Sequence, residues 1–347
     1  NCALSAGLFL VWTALARMEA GGGRLAVWKS LLTAIGCMML VYARLPFDVT
    51  AAAFLCLLSV LLGRKGRPIG AGMAAGLALL VRLDSIVFLP LLPWRRRDFA
   101  LRALPGILLA LILAGSINLY RFGGVLEDGH SQDPAMGLSA PLDGIAGLLA
   151  SPGKGMIWYA PMGAAAVALI CLSGRRDWYA YLVPLALGLL LHSLLHDWTG
   201  GTGWGPRFLF PAIVFACIPL LARWAGEAGR SWWPVLPALW GVLICCAAVW
   251  SHVTDLEREL GEDSFEAPSR QAVIWSPAHS PLFVSLERLG AGEPDLLPWR
   301  AAQERPALLA PLLAAQVLAG VLLASGSLVA GRISRRPGVA ESQGVSA

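Results

Sequence analysis

The sequence predicts an all-α membrane protein, built as a bundle of many transmembrane helices. Of its 347 residues, 57% are hydrophobic and only 14% are charged, whereas a soluble domain carries about a quarter charged residues. The apolar residues form long uncharged blocks that approach the roughly 17–25 residues a helix needs to span a bilayer. These blocks lack the alternation of apolar and polar positions seen in the strands of membrane barrels. Helices are therefore the predicted spanning elements.

Short basic clusters between the blocks predict the topology, because cytoplasmic loops are enriched in Lys and Arg. Placing every cluster inside gives about eleven membrane segments, with the amino end outside and the carboxyl end inside. The clusters are Arg17/Arg24/Lys29, Arg64/Lys65/Arg67, Arg95/Arg96/Arg97/Arg102, Arg175/Arg176, Arg223/Arg230 and Arg332/Arg335/Arg336. The segments are 3–17, 26–43, 48–63, 69–81, 85–93, 101–120, 156–173, 178–196, 207–222, 232–252 and 306–330.

The same scheme predicts one membrane domain over 1–330. Its larger outer loops, 121–155, 197–206 and 253–305, hold much of the polar and acidic sequence. The Gly- and Ser-containing tail 331–347 is predicted to be disordered and cytoplasmic. The formal charge of +5 is spread over the short clusters rather than gathered on one face, so no nucleic-acid partner is predicted.

Residues 69–93 test the scheme, since they lie between two basic clusters that both belong inside. The block is too short for two full spans, and Arg82 and Asp84 interrupt its middle. We predict a hairpin of two short helices, 69–81 and 85–93, hinged near Arg82 on the outer side. A single span with a buried Arg–Asp pair is the alternative, and it would reverse every later segment. An Arg at membrane depth suggests a functional site, but an ion pair that closes the hinge explains both residues equally well.

The first candidate site is the outer turn Ser151-Pro152-Gly153-Lys154-Gly155, which precedes Trp158 and Tyr159. Glycines on both sides of Lys154 let backbone amides approach an anion, and the lysine supplies a compact positive charge. The alternative is a tight turn that opens a helix, with Lys154 reaching lipid headgroups and the two aromatic residues anchored at the interface.

The second candidate site is the glycine loop, defined as residues 197–206, which contains four glycines together with Trp198 and Trp204. Arg207 follows the loop and opens the next membrane helix. An Arg at this level needs a partner, and a phosphate suits its planar, bidentate fork. The alternative places the tryptophans in an interfacial aromatic belt and Arg207 on a lipid phosphate.

Two further groups of polar residues carry weaker patterns. His192 and His196 lie one helical turn apart beside Asp197, as metal ligands often do, but no third ligand is evident. We therefore predict polar residues at a helix end, and neither a metal nor a cofactor. His130 belongs to an acidic cluster in the outer loop 121–155, which suits a cation, an acceptor sugar or simply a solvated loop. Six of the seven cysteines lie in apolar blocks, so no disulfide framework is predicted.

These motifs resemble the GT-C superfamily of membrane glycosyltransferases that use polyprenyl-phosphate-sugar donors, and most closely its bacterial members related to protein mannosyltransferases. The segment Ser151–Tyr159 matches their Ser-Pro-Gly-Arg/Lys-Gly-x-x-x-Tyr turn. Residues Gly200–Pro211 match a Trp/Gly-rich loop that ends Gly-Pro-Arg-Tyr/Phe-Leu-x-Pro, and Trp275–Leu282 resembles a Ser-Pro-Leu segment. The resemblance covers roughly residues 5–300, and the motifs keep their order.

The resemblance implies transfer of a sugar from a polyprenyl-phosphate donor to a glycan, lipid or protein acceptor, on the outer face of the bacterial inner membrane. It implies that Arg207, Lys154 and Arg82 bind the donor phosphate. The implied substrate-binding residues are Tyr159, Trp198, Trp204 and His130. Relatives carry a catalytic acidic residue in the first outer loop. Because this chain begins at Asn1 directly in an apolar segment, we expect an amino-terminal truncation and a catalytic carboxylate upstream.

Two other functions stay open at this point. A flippase or transporter of lipid-linked sugars would show polar residues along several helices and often an internal repeat. Here the helices are nearly free of charge and polarity gathers at one face, which favours an interfacial enzyme. A catalytically incomplete membrane scaffold is the second alternative.

Overall fold

The computed structural model describes residues 1–45, 48–125, 141–195, 197–201, 203–226, 231–251 and 272–292, and these are helical throughout their regular structure. His130, His196, most of the loop 253–305, the segment 306–330 and the tail lie outside the described residues. The α-helices are α1 Cys2–Glu19, α2 Val27–Gly36, α3 Met39–Arg44, α4 Val49–Arg64, α5 Pro68–Val81, α6 Arg97–Phe122, α7 Pro141–Ala150, α8 Met156–Tyr159, α9 Pro161–Ser173, α10 Val183–Ser193, α11 Phe210–Ala216, α12 Ile218–Ala225, α13 Val235–Trp250 and α14 Pro281–Ala291. The longer 3-10 segments are Leu83–Leu91 and Arg176–Leu182, and a 3-10 turn, Arg207–Leu209, precedes α11.

The length and composition of some helices agree with the predicted membrane character. By length and composition, α1 and α6 are apolar enough to cross a membrane, and α11 with α12 adds a third span if this bent pair counts as one. Several shorter apolar helices accompany them. The predicted total of about eleven crossings stays a prediction.

Several predicted segments are interrupted in the structure. The segment 26–43 divides into α2 and α3 at Met38, whose φ of +69° places it in the left-handed region. The segment 207–222 bends by 42° at Cys217, where Pro219 lacks the N–H that would continue the helical hydrogen bonds. Trp12 donates from Nε1 to the carbonyl of Val214 beside this bend, at 2.9 Å. Continuous hydrophobicity in the sequence hides such breaks.

The helix pair α11–α12 forms the centre of the fold. Every residue of α11 is buried, and so is every residue of α12 except Arg223. A helix that is apolar on all sides is satisfied only when other helices surround it. Helices α1, α4, α9 and α10 pack against this pair, and the core includes the fully buried Trp12, Phe210 and Phe215.

One end of the bundle, here the basic end, gathers clusters that the sequence predicts to be cytoplasmic. Glu19 at the end of α1 lies 3.7 Å from Arg64 at the end of α4, and 3.9 Å from Arg175. Lys29 at the start of α2 donates to the carbonyl of Trp224 near the end of α12, at 2.8 Å. Residues from several of these clusters therefore lie at the same end of the bundle.

The opposite end, here the glycine-loop end, holds the two candidate sites. Tyr42 of α3 donates its hydroxyl to the carbonyl of Trp204 at 2.6 Å. At the same end, Asp48 before α4 pairs with Arg82 after α5, at 3.1 Å. The ends of α3 and α5, the start of α4 and the glycine loop therefore share one end. Polar side chains that are remote in the sequence are placed on the same face.

The chain turns back at Arg82, as the hairpin prediction requires. Arg82 has extended backbone angles and separates α5 from the 3-10 segment Leu83–Leu91. Helices α5 and α6 then run parallel, because Gly72 faces Ala103 while Gly76, one turn later, faces Gly106 and Ala110. Two parallel helices need a return path between them, which the 3-10 segment supplies. The single-span alternative would make these helices antiparallel.

Contact between α5 and α6 depends on glycine. A Cβ atom on Gly72 would lie 2.0 Å from the carbonyl oxygen of Ala103, and one on Gly76 would lie 2.4 Å from that of Gly106. Backbone atoms cannot yield locally, so the helices must separate. We expect Gly72→Ala to lower the free energy of unfolding by about 3 kcal/mol, measured by reversible denaturation in mixed micelles.

Gly290 of α14 supplies the matched control, because a Cβ atom there would meet nothing within 4 Å. Gly290→Ala is expected to change stability by less than about 1 kcal/mol and, through helix propensity, towards greater stability. Equal unfolding midpoints for the two variants would contradict the close parallel packing of α5 and α6.

Candidate functional site at the glycine-loop end

The Ser151–Gly155 turn is held rigidly by its own hydrogen bonds. The hydroxyl of Ser151 accepts the backbone N–H of Lys154 at 3.1 Å, and the Ser151 carbonyl accepts that of Gly155 at 2.7 Å. Gly153 donates to the carbonyl of Ile274 at 2.9 Å, and a Cβ atom on Gly153 would lie 2.5 Å from the carbonyl oxygen of Val273. The glycine therefore allows residues 272–275 to lie directly against the turn.

Lys154 joins this turn to the glycine loop. Its side chain is buried, and its Nζ donates to the carbonyl of Gly201 at 2.9 Å and to that of Gly203 at 2.5 Å. The two sequence motifs, about fifty residues apart in the chain, thus form one structural unit. The sequence predicts Lys154 as a contact for the donor phosphate; in the structure at least two of its three N–H donors are directed to protein carbonyls.

The aromatic residues of the two motifs pack on each other inside the protein. Tyr159 and Trp204 are almost completely buried, with ring centres 5.2 Å apart in an edge-to-face arrangement. The Tyr159 hydroxyl accepts the backbone N–H of Leu282 at 3.2 Å. Gly205, at φ +62°, brings the loop so close that a Cβ atom there would lie 2.7 Å from the Tyr159 ring. Edge-to-face pairs of this kind stabilise a fold by about 1 kcal/mol beyond their buried area.

The other tryptophan is also enclosed. Trp198 is only 8% exposed, and its ring lies against Gly147 of α7, where a Cβ atom would be 2.0 Å from the ring. The sequence predicts Trp198, Trp204 and Tyr159 as substrate contacts. In the structure all three side chains are packed within the protein, so their direct effect is to shape the glycine loop.

Arg207 lies over the glycine loop. A Cβ atom on Gly200 would come within 3.0 Å of the Arg207 Nε, and one on Gly203 within 2.8 Å of its Cδ. Gly200 also has φ +73°, a conformation that other residues rarely adopt. These glycines therefore make room for the arginine side chain, which is half-buried at this end of the bundle.

Phe208 is the point at which the polar groups of the site meet. The guanidinium carbons of Arg207 and Arg82 each lie 5.0 Å from the centre of its ring, and the His192 ring stacks on it at 4.6 Å. The guanidinium carbons of the two arginines therefore lie no farther apart than twice this 5.0 Å distance. The structure thus brings together two of the three cations that the sequence predicts for phosphate binding.

Arg82, however, is already engaged by two carboxylates. Its Nη2 lies 2.7 Å from Asp84, and its Nη1 lies 3.1 Å from Asp48. The pair with Asp84 is largely buried, whereas the Asp48 side chain is 51% exposed. The ion pair that the sequence offers as one explanation of Arg82 and Asp84 is present. Arg82 therefore contributes less net positive charge to the site than the sequence predicts.

Asp84 connects this ion pair to a histidine on another helix. Its Oδ2 lies 3.2 Å from Nε2 of His192. Burial of Asp84 opposes ionisation, but the hydrogen bonds from His192 and Arg82 outweigh it and lower the pKa of the Asp84 carboxyl to about 2. Because of this lowered pKa, Asp84 carries a negative charge at neutral pH. It lies at the hinge, outside both predicted hairpin spans.

Sequence reasoning identifies most members of the site but not their contacts. Asp48 is absent from the predicted site residues, and His192 is interpreted with His196 and Asp197 rather than with Asp84. Their residue types are the only signal in the sequence, because Asp48, Asp84 and His192 lie in separate elements of the fold. Among the described parts of the chain, no group of three His, Cys, Asp or Glu side chains is placed to hold a metal ion. His130 falls outside those parts.

Comparison with known proteins identifies no family for this chain. No protein-family model matches the chain, and neither a curated protein nor a solved structure matches it. The assignment of a function therefore depends on the residues of the glycine-loop end and their contacts.

Proposed function

We propose that the protein transfers a sugar from a polyprenyl-phosphate donor to an acceptor at the glycine-loop end of the bundle. The observation that carries the proposal is the joining of the two candidate motifs by Lys154, with Arg207 displayed on the unit they form. The Ser151–Gly155 turn and the glycine loop, which both resemble motifs of one glycosyltransferase superfamily, thus lie at the same place. A shared location is what a single donor site requires.

Arg207 is the proposed contact for the donor phosphate. Its guanidinium presents paired N–H donors in a plane, which matches two phosphate oxygens. Departure of the sugar leaves additional negative charge on the phosphate, and a fixed cation stabilises that charge as it develops. Lys154 adds a second positive charge behind the glycine loop, while its hydrogen bonds keep the loop in shape.

The apolar exterior suits a lipid-linked donor. Helix α6 exposes most of its length, including side chains that are more than half exposed, namely Leu101, Leu109, Ile112, Leu119 and Tyr120. Its apolar stretch is long enough to cross a bilayer. We place the protein in the bacterial inner membrane with the glycine-loop end outside, so that the prenyl chain stays in lipid while its phosphate reaches Arg207.

The proposal is tested with the full-length protein in detergent micelles and synthetic polyprenyl-phosphate sugars. Sugar should move to an added acceptor, or the donor should be consumed, as measured by mass spectrometry of the lipid and its products. A detergent micelle has no second leaflet to which a lipid could be moved. Sugar transfer in micelles therefore distinguishes an enzyme from a flippase. In cells, deletion of the gene should change lipid-linked sugars or envelope glycans. Unchanged profiles together with an inert purified protein would rule out glycosyl transfer.

A further inference from the structure

Five exposed arginines lie where α5 and α6 begin, at the basic end of the bundle. One of them directly precedes α5, and the other four lie just before α6 or within its first two turns. One acidic residue, Asp98, lies among them, so five positive charges face one negative charge. We call this surface the arginine patch: Arg67, Arg95, Arg96, Arg97 and Arg102.

Helix packing places these arginines on one surface. The last turn of α4 belongs to the basic end, and a Cβ atom on its Gly63 would lie 3.7 Å from the ring of Phe99 in the first turn of α6. Helices α5 and α6 run parallel, with Gly72 against Ala103. Arg67 precedes Gly72 by five residues, and the first turn of α6 lies a similar distance before Ala103. Arg67 and the arginines of α6 are therefore at the same level along the two helices.

The positive charge of the arginine patch is not neutralised within the part of the chain that the structure describes. The ion pairs found in that part involve other residues. Other cations of the basic end are engaged: Arg64 lies 3.7 Å from Glu19 and donates to the Tyr181 hydroxyl at 2.8 Å, while Arg175 pairs with Asp177 at 2.7 Å. A group of exposed like charges without counter-charges creates a potential that attracts anions.

Exposed apolar side chains continue from the arginine patch along both helices. On α5 they are Ile69, Met73 and Leu77, whose spacing of four residues places them on one face. On α6, Leu101 and Leu108 are exposed at corresponding levels, and this helix is long and apolar enough to cross a membrane. A group of cations next to an apolar surface complements a phospholipid, because that molecule joins a charged headgroup to acyl chains.

We propose that the arginine patch binds the headgroup of an anionic phospholipid in the inner leaflet, with the acyl chains along α5 and α6. The inference goes beyond the proposed function: it requires the membrane placement given there but not sugar transfer. The planar fork of arginine pairs with phosphate oxygens, and basic residues beside a membrane helix attract anionic lipid at the cytoplasmic surface. Because the patch combines the starts of two helices, a bound headgroup links α5 to α6.

The test measures lipid binding to the full-length protein in detergent micelles, without any sugar donor. The micelles contain equal amounts of phosphatidylglycerol, which is anionic, and phosphatidylcholine, which is zwitterionic, and native mass spectrometry measures the lipid retained. We expect the wild type to retain phosphatidylglycerol preferentially. Each cation near an anionic headgroup increases the affinity by about five-fold. The variant Arg96→Gln/Arg97→Gln/Arg102→Gln should therefore bind phosphatidylglycerol about 100-fold more weakly and phosphatidylcholine as before.

A matched triple variant removes the same charge from other parts of the basic end. Arg24, Arg176 and Arg223 are also exposed, but they lie before α2, in the 3-10 segment Arg176–Leu182 and in α12. Changing all three to Gln should alter the affinity for phosphatidylglycerol by less than about five-fold. Equal weakening by the two triple variants would overturn a site at the arginine patch. Should the patch variant fail to fold, Arg96→Gln alone should weaken binding by about five-fold, and an unchanged affinity would overturn the inference.

Two further outcomes identify the ligand and separate this inference from the proposed function. Glycerophosphoglycerol, which is the same headgroup without acyl chains, should not displace phosphatidylglycerol at equal concentration. Displacement would mean that the patch recognises a soluble phosphate, and the lipid assignment would be wrong. A wild type that retains both lipids equally would overturn the inference and leave sugar transfer untouched. A wild type that selects phosphatidylglycerol but transfers no sugar would instead refute the proposed function alone.

Discussion

Replacing Arg207 by alanine is expected to lower sugar transfer by about 100- to 1,000-fold, the usual effect of removing one group that stabilises developing charge. The guanidinium lies over Gly200 and Gly203 and beside Phe208, so it is held in place before substrate arrives. The helices should stay folded, because the side chain is half-buried at the end of the bundle rather than within the core. The measurement is product formation from a polyprenyl-phosphate sugar, with thermal unfolding measured on the same samples.

Two further variants separate charge from geometry. Arg207→Lys keeps the charge but loses the planar fork, so its rate should lie between those of the wild type and the alanine variant. Arg121 supplies the matched control, since its guanidinium also lies 5.0 Å from the ring of the following residue, Phe122, but at the exposed end of α6. Arg121→Ala should transfer sugar normally. Full activity of Arg207→Ala would remove the assigned phosphate contact.

The architecture is predictable from the sequence to the extent that hydrophobicity determines it. The predicted segment 48–63 corresponds to α4, Val49–Arg64, and the hinge near Arg82 is where α5 ends. Uncompensated charge is costly inside an apolar block, so Arg82 and Asp84 reveal the break. The break at Met38 carries no such signal, because Met38 is an apolar residue buried in the core despite its left-handed conformation.

The site is less predictable, since its contacts join distant parts of the chain. The ion pair of Arg82 with Asp84 joins two residues that are close in the sequence, and it is one of the two explanations that the sequence leaves open. The bond of Asp84 to His192 requires the 3-10 segment and α10 to be adjacent, which hydrophobic periodicity does not specify. In the same way, the glycines around Lys154 suggest an anion-binding turn, but only the fold shows that its ammonium donates to two carbonyls.

Lys154→Met should destabilise the glycine loop even in the absence of any substrate. The substitution leaves the carbonyls of Gly201 and Gly203 without the hydrogen bonds of a buried ammonium. Each hydrogen bond from a charged donor contributes about 1.5–3 kcal/mol, so we expect a loss of about 2–5 kcal/mol in the free energy of unfolding. Hydrogen exchange should increase in residues 197–206, as measured by mass spectrometry of the purified protein without donor.

Comparison with Lys65→Met decides between the two roles of Lys154. Lys65 is exposed at the end of α4, so its loss should leave both stability and hydrogen exchange near the wild-type values. If Lys154 served only as a phosphate ligand, as the resemblance implies, Lys154→Met would match this control without donor and differ only in donor affinity. An effect already present without donor instead makes Lys154 the link that shapes the loop around Arg207. Loss of transfer in Lys154→Met would then follow from a displaced Arg207, and stabilising the loop by another route should restore part of it.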